Sequence, residues 1–250
     1  MPPAFENSER RKRRDPEIRV WDRVVRVMHW TLAAAFATLY LAPREFPLHT
    51  YAGYLVLVVL LIRIVWGFTS HGAARFSSFR FTPRQTLAYL KNALKGQAEY
   101  HFSHNPMSAL IVHALLATLL ANTVLGMLAD GVAPHSGIVT AHAWLSHLIA
   151  GLVALHLCGV LWASRLHREN YVLAMLTGIR RIPRAVAIPP GAVHPEQRRK
   201  TGTAGERLMS WLTYRHPFVG SLVLMTLIIA LLALPLIEAL TRLNGTLLVH

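Results

Sequence analysis

The sequence predicts an all-α, polytopic membrane fold: a bundle of four helices followed by a fifth, C-terminal transmembrane helix. Three observations predict it. Of the 250 residues, 53% are hydrophobic and only 15% charged, with a mean hydropathy of +0.36, too apolar for an ordinary soluble domain of this size. Apolar runs fall at about 24–42, 51–69, 107–129, 138–163 and 218–240, each near the ~20 residues a bilayer core asks of a helix. The basic residues fall almost entirely between those runs. Seven Lys and Arg precede Val24, five separate the second run from the third and ten the fourth from the fifth, against only Arg44 and Arg242 on the other side. Arg26 and Arg63 stand inside runs. The positive-inside rule then places the N-terminus in the cytoplasm and the C-terminus outside.

The same distribution argues against a nucleic-acid partner. An excess of 26 Lys and Arg over 12 Asp and Glu would suggest nucleic acid in a soluble protein, but here it carries topology. The single cysteine, Cys158, excludes an internal disulfide and a cysteine-ligated cluster within one chain, and its place in an apolar run predicts packing.

Taken in order, the N-terminal MPPAFENSERRKRRDPEIR is polar for too long to be a typical cleaved signal peptide and reads as a basic cytoplasmic tail. The first and second runs are joined outside by 43–48, with Pro43 and Pro47. The third and fourth are joined by 130–137, with Gly131, Pro134 and Gly137, residues suited to tight turns. Between the second and third runs, RQTLAYLKNALKG sets Leu87, Tyr89, Leu90 and Leu94 among Lys91 and Lys95. It reads as an amphipathic helix at the headgroups or as a plain connecting helix. The loop 165–217, with Pro189, Pro190 and a QRRK run, predicts a partly disordered segment. No internal repeat, phosphate-binding glycine loop, nucleophile elbow or metalloprotease motif is present, and no catalytic residue is assigned.

The chemistry lies in the histidines. In HAWLSHLIAGLVALH, His142 and His156 stand fourteen residues apart, which on an α-helix is about 3.9 turns and about 21 Å of rise on one face. An ionisable side chain at membrane depth marks a functional site by default, and imidazole is a common axial ligand of haem iron. One helix therefore offers a ligand to each of two haems. His147 points away from that face. With the fourth helix starting outside, His142 lies near the external face and His156 towards the cytoplasm. Partners at matching depth are His49, at the external start of the second run, and His29, just inside the first. The expected pairs are His29 with His156 and His49 with His142.

Arg63, fourteen residues after His49, shares its face and reaches the inner haem, where a propionate suits the two-pronged guanidinium. Snorkelling to headgroups is the alternative. Gly53 and Gly159 leave room for a flat ring or for close helix packing, and Trp30 and Trp144 read as interfacial anchors or haem walls. His113 and His147 read as hydrogen-bonded packing residues. His104 and His167 sit at cytoplasmic helix ends, where capping or contact with a propionate or headgroup is expected. His71, His101, His135, His194, His216 and His250 read as turn, loop or tail residues.

From about Arg19 to Gly178 the chain resembles the bacterial cytochrome b561 and nickel-iron hydrogenase cytochrome b subunit family. The resemblance is carried by RVWDRVVRVMHW, LHTYAGYLVLVVLLIRIVWGF, HNP, the histidine pair fourteen apart with GLVALHLCGV, and LHREN with MLTG. It implies a four-helix haem-binding bundle in the bacterial inner membrane with two b-type haems. Carried over residue by residue, it places haem-iron ligands at His29, His49, His142 and His156. Ala143 stands where the family often has a carboxylate, and the extension from about Arg180 is not covered.

The organisation expected is then a basic cytoplasmic tail over 1–18, a cytochrome b membrane domain over 19–179, a cytoplasmic linker over 180–217, and a transmembrane helix with an external tail over 218–250. The function implied is respiratory or hydrogenase-type electron transport between the quinone pool and a redox partner, which is a hydrogenase, a dehydrogenase or a c-type cytochrome. The chain acts as an electron-transfer subunit or as a quinone oxidoreductase itself. The alternatives are a haem-free anchor or assembly protein of a redox complex and, less favoured, a histidine-lined metal transporter.

Overall fold

The computed structural model describes residues 17–41, 47–132, 136–183 and 225–226. Four helices among them are long and apolar enough to cross a membrane. Strand β1 (Glu17–Arg19) leads into α1 (Arg23–Leu41) and α2 (Pro47–Thr69). Two 3-10 turns, Gly72–Ala74 and Phe76–Phe79, precede α3 (Pro83–Leu94). Helix α4 (Pro106–Met127) ends in a π-helical turn, Leu128–Val132, before α5 (Ser136–Leu166), α6 (Tyr171–Thr177) and β2 (Ile179–Arg181). The fifth expected span lies outside the described residues apart from 225–226, and so do His135, His194, His216 and His250.

The helix starts follow from local chemistry. Val25 N donates to Asp22 Oδ1 at 2.7 Å, Ser108 N to Asn105 Oδ1 at 2.8 Å and Leu173 N to Asn170 Oδ1 at 2.9 Å, so each carboxylate or amide satisfies an amide left unpaired in a first turn. Pro106 opens α4 where a missing N–H costs nothing. Thr82 and Gln85 form a reciprocal capping box on α3. That helix buries Tyr89 and Ala93 and leaves Leu87 and Leu94 exposed, combining a connecting role with an unburied apolar edge.

In the bundle, α1 lies along α2, α2 against α4, and α4 along α5. Ala35, Val56 and Leu60 form a small core at mid-height, with Leu32, Leu39, Leu116, Leu119 and Leu120 around it. Contacts of α5 with α1 and α2 are sparse among the described residues, so α5 stands off from that pair across a gap. Cys158, expected to pack, is exposed. On a membrane helix the outward face is itself apolar, so an apolar run does not select the packed side.

One end of the bundle carries a cap. β1 and β2 pair antiparallel, Glu17 with Arg181, Ile18 with Arg180 and Arg19 with Ile179. The chain then continues with Val20 N and Trp21 N donating to Gly178 O at 2.9 and 3.1 Å. Gly178 closes α6 at φ 84°, and a Cβ there would lie 2.5 Å from Trp21 O; a left-handed residue in so close an approach has to be glycine. Under the ladder, Ile18, Val20, Trp21, Val25, Met28 and Ile182 are among the residues of the larger apolar core. The expected boundaries at 18 and at 180 therefore fall inside one hydrogen-bonded ladder. The stretch 167–183, expected to share in a partly disordered loop, is helix, turn and strand. The reason is long-range: the tail and the start of the linker complete each other's backbone hydrogen bonds.

Arg180, expected in the linker, is 1% exposed. Its Nε and Nη2 donate to Glu169 Oε1 and Oε2 at 3.0 and 2.9 Å. Nη2 also reaches the Tyr100 and Tyr171 hydroxyls at 2.8 Å each, and Nη1 the carbonyls of His101, Phe102 and Ser103 at 3.3, 2.7 and 3.2 Å. Burial works against the charge, yet Tyr171 and Glu169 hold this guanidinium above its ordinary pKa. Burial pushes the Tyr100 and Tyr171 hydroxyls up and that of Tyr89 up to about 12.

Candidate functional site

Helix α5 presents His142 and His156 towards the gap, and α1 and α2 each supply one histidine opposite. At the cap end, the rings of His29 and His156 have centres 6.3 Å apart, inclined at 57°. At the far end, those of His49 and His142 are 6.4 Å apart at 75°. With metal–nitrogen bonds of about 2.0 Å and about 1.1 Å from each nitrogen to its ring centre, an ion held between two imidazoles spaces the centres at about 6.2 Å. Both pairs fit one metal atom each. Among the described residues no group of three or more His, Cys, Asp or Glu could hold a metal ion. Two imidazoles with no third donor suit an iron whose remaining positions a macrocycle fills, and suit a bare ion poorly.

The far-end pair opens on a cavity of about 240 Å³ lined by His49, Gly53, Asn122, Gly126 and His142, among others. His142 Nδ1 lies 3.0 Å from Asn122 O. A carbonyl only accepts, so Nδ1 carries the proton and Nε2 is the lone-pair nitrogen, which is how an outer hydrogen bond fixes a ligand's tautomer. Asn122 Nδ2 donates to Ser146 Oγ at 2.9 Å, and Ser146 Oγ donates to His142 O at 2.8 Å, tying α4 to α5 at this level. These contacts supply polar support that Ala143, itself exposed, does not. Gly126 makes room: a Cβ there would stand 3.0 Å from His142 Cε1. At Gly53 and Gly159 a Cβ would meet nothing within 4 Å, so both leave open space.

The cap-end pair is bounded by Arg63 and His104. Arg63 is buried, 6% exposed, with its Cζ 4.6 Å from the Phe76 ring centre and its Nη1 without a hydrogen-bond partner among the described residues. His104 packs between Trp21 at 4.8 Å and Phe79 at 4.3 Å, and its Nδ1 is likewise buried without a partner. Asn105, not His104, caps α4. Burial first, then the Arg63 charge, push the His104 imidazole down to about 3, so it is neutral and keeps one N–H to donate. Trp30 Nε1 donates to Met175 O at 3.4 Å, and Arg26 Nη1 donates to Leu176 O, so α6 is fastened beside His29.

The remaining histidines do other work. His113 Nδ1 lies 2.7 Å from Ala109 O and its ring packs on Phe76 and Phe79. His147 is exposed. His167 Nε2 lies 3.5 Å from the Tyr89 hydroxyl, with its ring against Tyr100 and Tyr171; burial, then Arg180, lower its pKa. His101 lies between Phe81 and Tyr89. Trp144 is 72% exposed, as an interfacial anchor would be. The sequence reading missed the Arg180 network and the Asn122 support. The LHREN motif was the available signal for the first, since it supplies Glu169 and Asn170; nothing local marked Asn122.

Residues 20–178 match the prokaryotic cytochrome b561 family. No curated protein and no solved structure matches the chain.

Proposed function

Because this chain belongs to the prokaryotic cytochrome b561 family, and is with it a membrane b-type cytochrome in electron transfer, we propose that it carries two b haems and passes electrons between the quinone pool and a redox partner. His29 and His156 hold the cap-end haem, and His49 and His142 the far-end one. When bound, haem b supplies the one-electron chemistry. The chain's residues would hold the iron through these histidines, orient His142 through Asn122 O, keep water from the gap with the α1, α2, α4 and α5 walls, and offer the Arg63 guanidinium to a propionate. The N-terminus and the cap lie in the cytoplasm of a bacterial cell and the bundle in its inner membrane. The partner is a hydrogenase, a dehydrogenase or a c-type cytochrome, with the chain as subunit or as quinone oxidoreductase.

The observation that carries this reading is the pair of ring separations, 6.3 and 6.4 Å, each the width of one bis-imidazole iron. Reduced-minus-oxidised absorbance of the purified protein, with haem counted against protein, is expected to give b-type bands at two haems per chain. His29→Ala and His156→Ala remove the same component, His49→Ala and His142→Ala the other, and His147→Ala neither. A colourless preparation would leave the haem-free anchor standing. Loss of a component in His147→Ala with both retained in His142→Ala would overturn the pairing.

A further inference from the structure

Near the cap-end pair lie two buried polar atoms left unanswered among the described residues. Arg63 Nη1 and His104 Nδ1 are both buried without a hydrogen-bond partner among the described residues; the first donates, the second donates in the tautomer that carries its proton there, and a buried polar group left unsatisfied is costly, more so when charged. The two are neighbours. Phe76 and Phe79, with ring centres 5.9 Å apart, carry Arg63 on one and His104 on the other, and the Arg63 charge is felt at His104. Asp22, the carboxylate whose field reaches Arg63, is engaged elsewhere: Oδ1 accepts from Val25 N at 2.7 Å and Oδ2 from Trp66 Nε1 at 3.2 Å. Two neighbouring polar groups, one cationic and one neutral, with no acceptor among the described residues, describe half of an anion site.

We propose that His104 is the second donor, with Arg63, of a buried clamp that holds a propionate of the cap-end haem. The inference rests on the reading that His29 and His156 ligate that haem. The anion is a carboxylate of the cofactor rather than a free ion because His104, the neighbour of Arg63, stands near the histidine pair: His156 is among the groups whose field reaches it. With its proton on Nδ1, His104 would donate to the carboxylate alongside the Arg63 guanidinium. The clamp is a positioning device that also sets the potential, since a compensated propionate charge opposes oxidation of the iron less than a free positive charge and more than a bare anion.

The test is potentiometric titration of the full-length holoprotein, its two components assigned by their loss in His156→Ala and His142→Ala. A unit charge on the order of 10 Å from a one-electron centre, at an effective dielectric of about 20, changes the oxidised-to-reduced ratio at fixed potential roughly tenfold, which is about 59 mV. Arg63→Gln is expected to move the cap-end component by about that much towards easier oxidation, and His104→Phe, which removes a neutral donor and no charge, by less in the same direction, or either to lose it, with the far-end component unmoved. His104→Asn, whose amide N–H reaches the Nδ1 position, is expected to stay within a few-fold of the parent. Combining Arg63→Gln with His104→Phe should shift less than the sum of the two, because they share one anion. The proposal is overturned if His104→Asn and His104→Phe behave alike, if Arg63→Gln leaves the cap-end component in place, or if both components move together. A parent protein lacking the component that His156→Ala abolishes would instead defeat the ligand assignment beneath it.

Discussion

Replacing Arg180 by methionine keeps most of the side-chain volume and removes the charge that the cap is assembled around. The Glu169 carboxylate, whose side chain is only 10% exposed, then keeps, among the described residues, the Tyr100 hydroxyl, 2.6 Å away, and the carbonyls of His101, Phe102 and Ser103 lose their shared donor. Removing one partner of a buried ion pair costs about 3–5 kcal/mol. An orphaned carbonyl costs about 1–3 kcal/mol where water cannot reach it. The two penalties overlap, so about 3–5 kcal/mol is the working figure, roughly a hundred- to several-thousandfold in the opening equilibrium of the cap. Hydrogen exchange reads this locally: the amides of Val20 and Trp21, both bonded to Gly178 O, should lose protection by that factor while amides in the middle of α4 hold theirs. Combining Arg180→Met with Glu169→Gln removes both charges and should cost about 1–3 kcal/mol less than the two changes summed. A loss of protection under tenfold, or strict additivity, would refute the view that this ion pair holds the ladder.

Two further outcomes follow from the geometry. Gly126→Val brings a branched side chain against His142, whose Cε1 already stands 3.0 Å from where a Cβ would be; overpacking of about 1–3 kcal/mol should displace the ring from Asn122 O and lower occupancy of the far-end haem, with the cap-end component kept as the internal standard in the absorbance spectrum. His167 is pushed below its ordinary value by burial and Arg180, so below about pH 6.5 the unfolded chain binds a proton that the folded cap does not. Cap stability is then complete above that pH and falls as the pH drops. Melting of the cap followed from pH 8 to pH 4 should show that slope, and His167→Phe should reduce it. An unchanged slope in the variant would remove His167 from the account.

Much of this molecule is written locally. Four spans could be read because crossing a bilayer demands a length and an apolarity that a run of residues either has or lacks. The limits moved by a few residues: α2 begins at Pro47 rather than near 51, and α5 reaches Leu166 rather than 163. The histidine pairs could be anticipated because helix pitch fixes which residues share a face, and alternating topology fixes their depth. The sequence alone therefore brings His29 level with His156 and His49 level with His142 before any packing is known.

The cap was not legible. Arg180 looked like one more linker cation, because exposure is the default for a guanidinium; what buries it is an acceptor set drawn from residues 100–103, 169 and 171, most of them about 80 positions away. The ladder joins Glu17 to Arg181, and no periodicity encodes a pairing across that separation. The buried polar atoms of Arg63 and His104, without partners among the described residues, are equally a tertiary fact, since each is unexceptional in its own segment and meaningful only beside the other. Helix length, facing and depth are properties of a chain one element at a time, whereas the burial of a charge and the absence of its partner exist only once distant segments have closed around it.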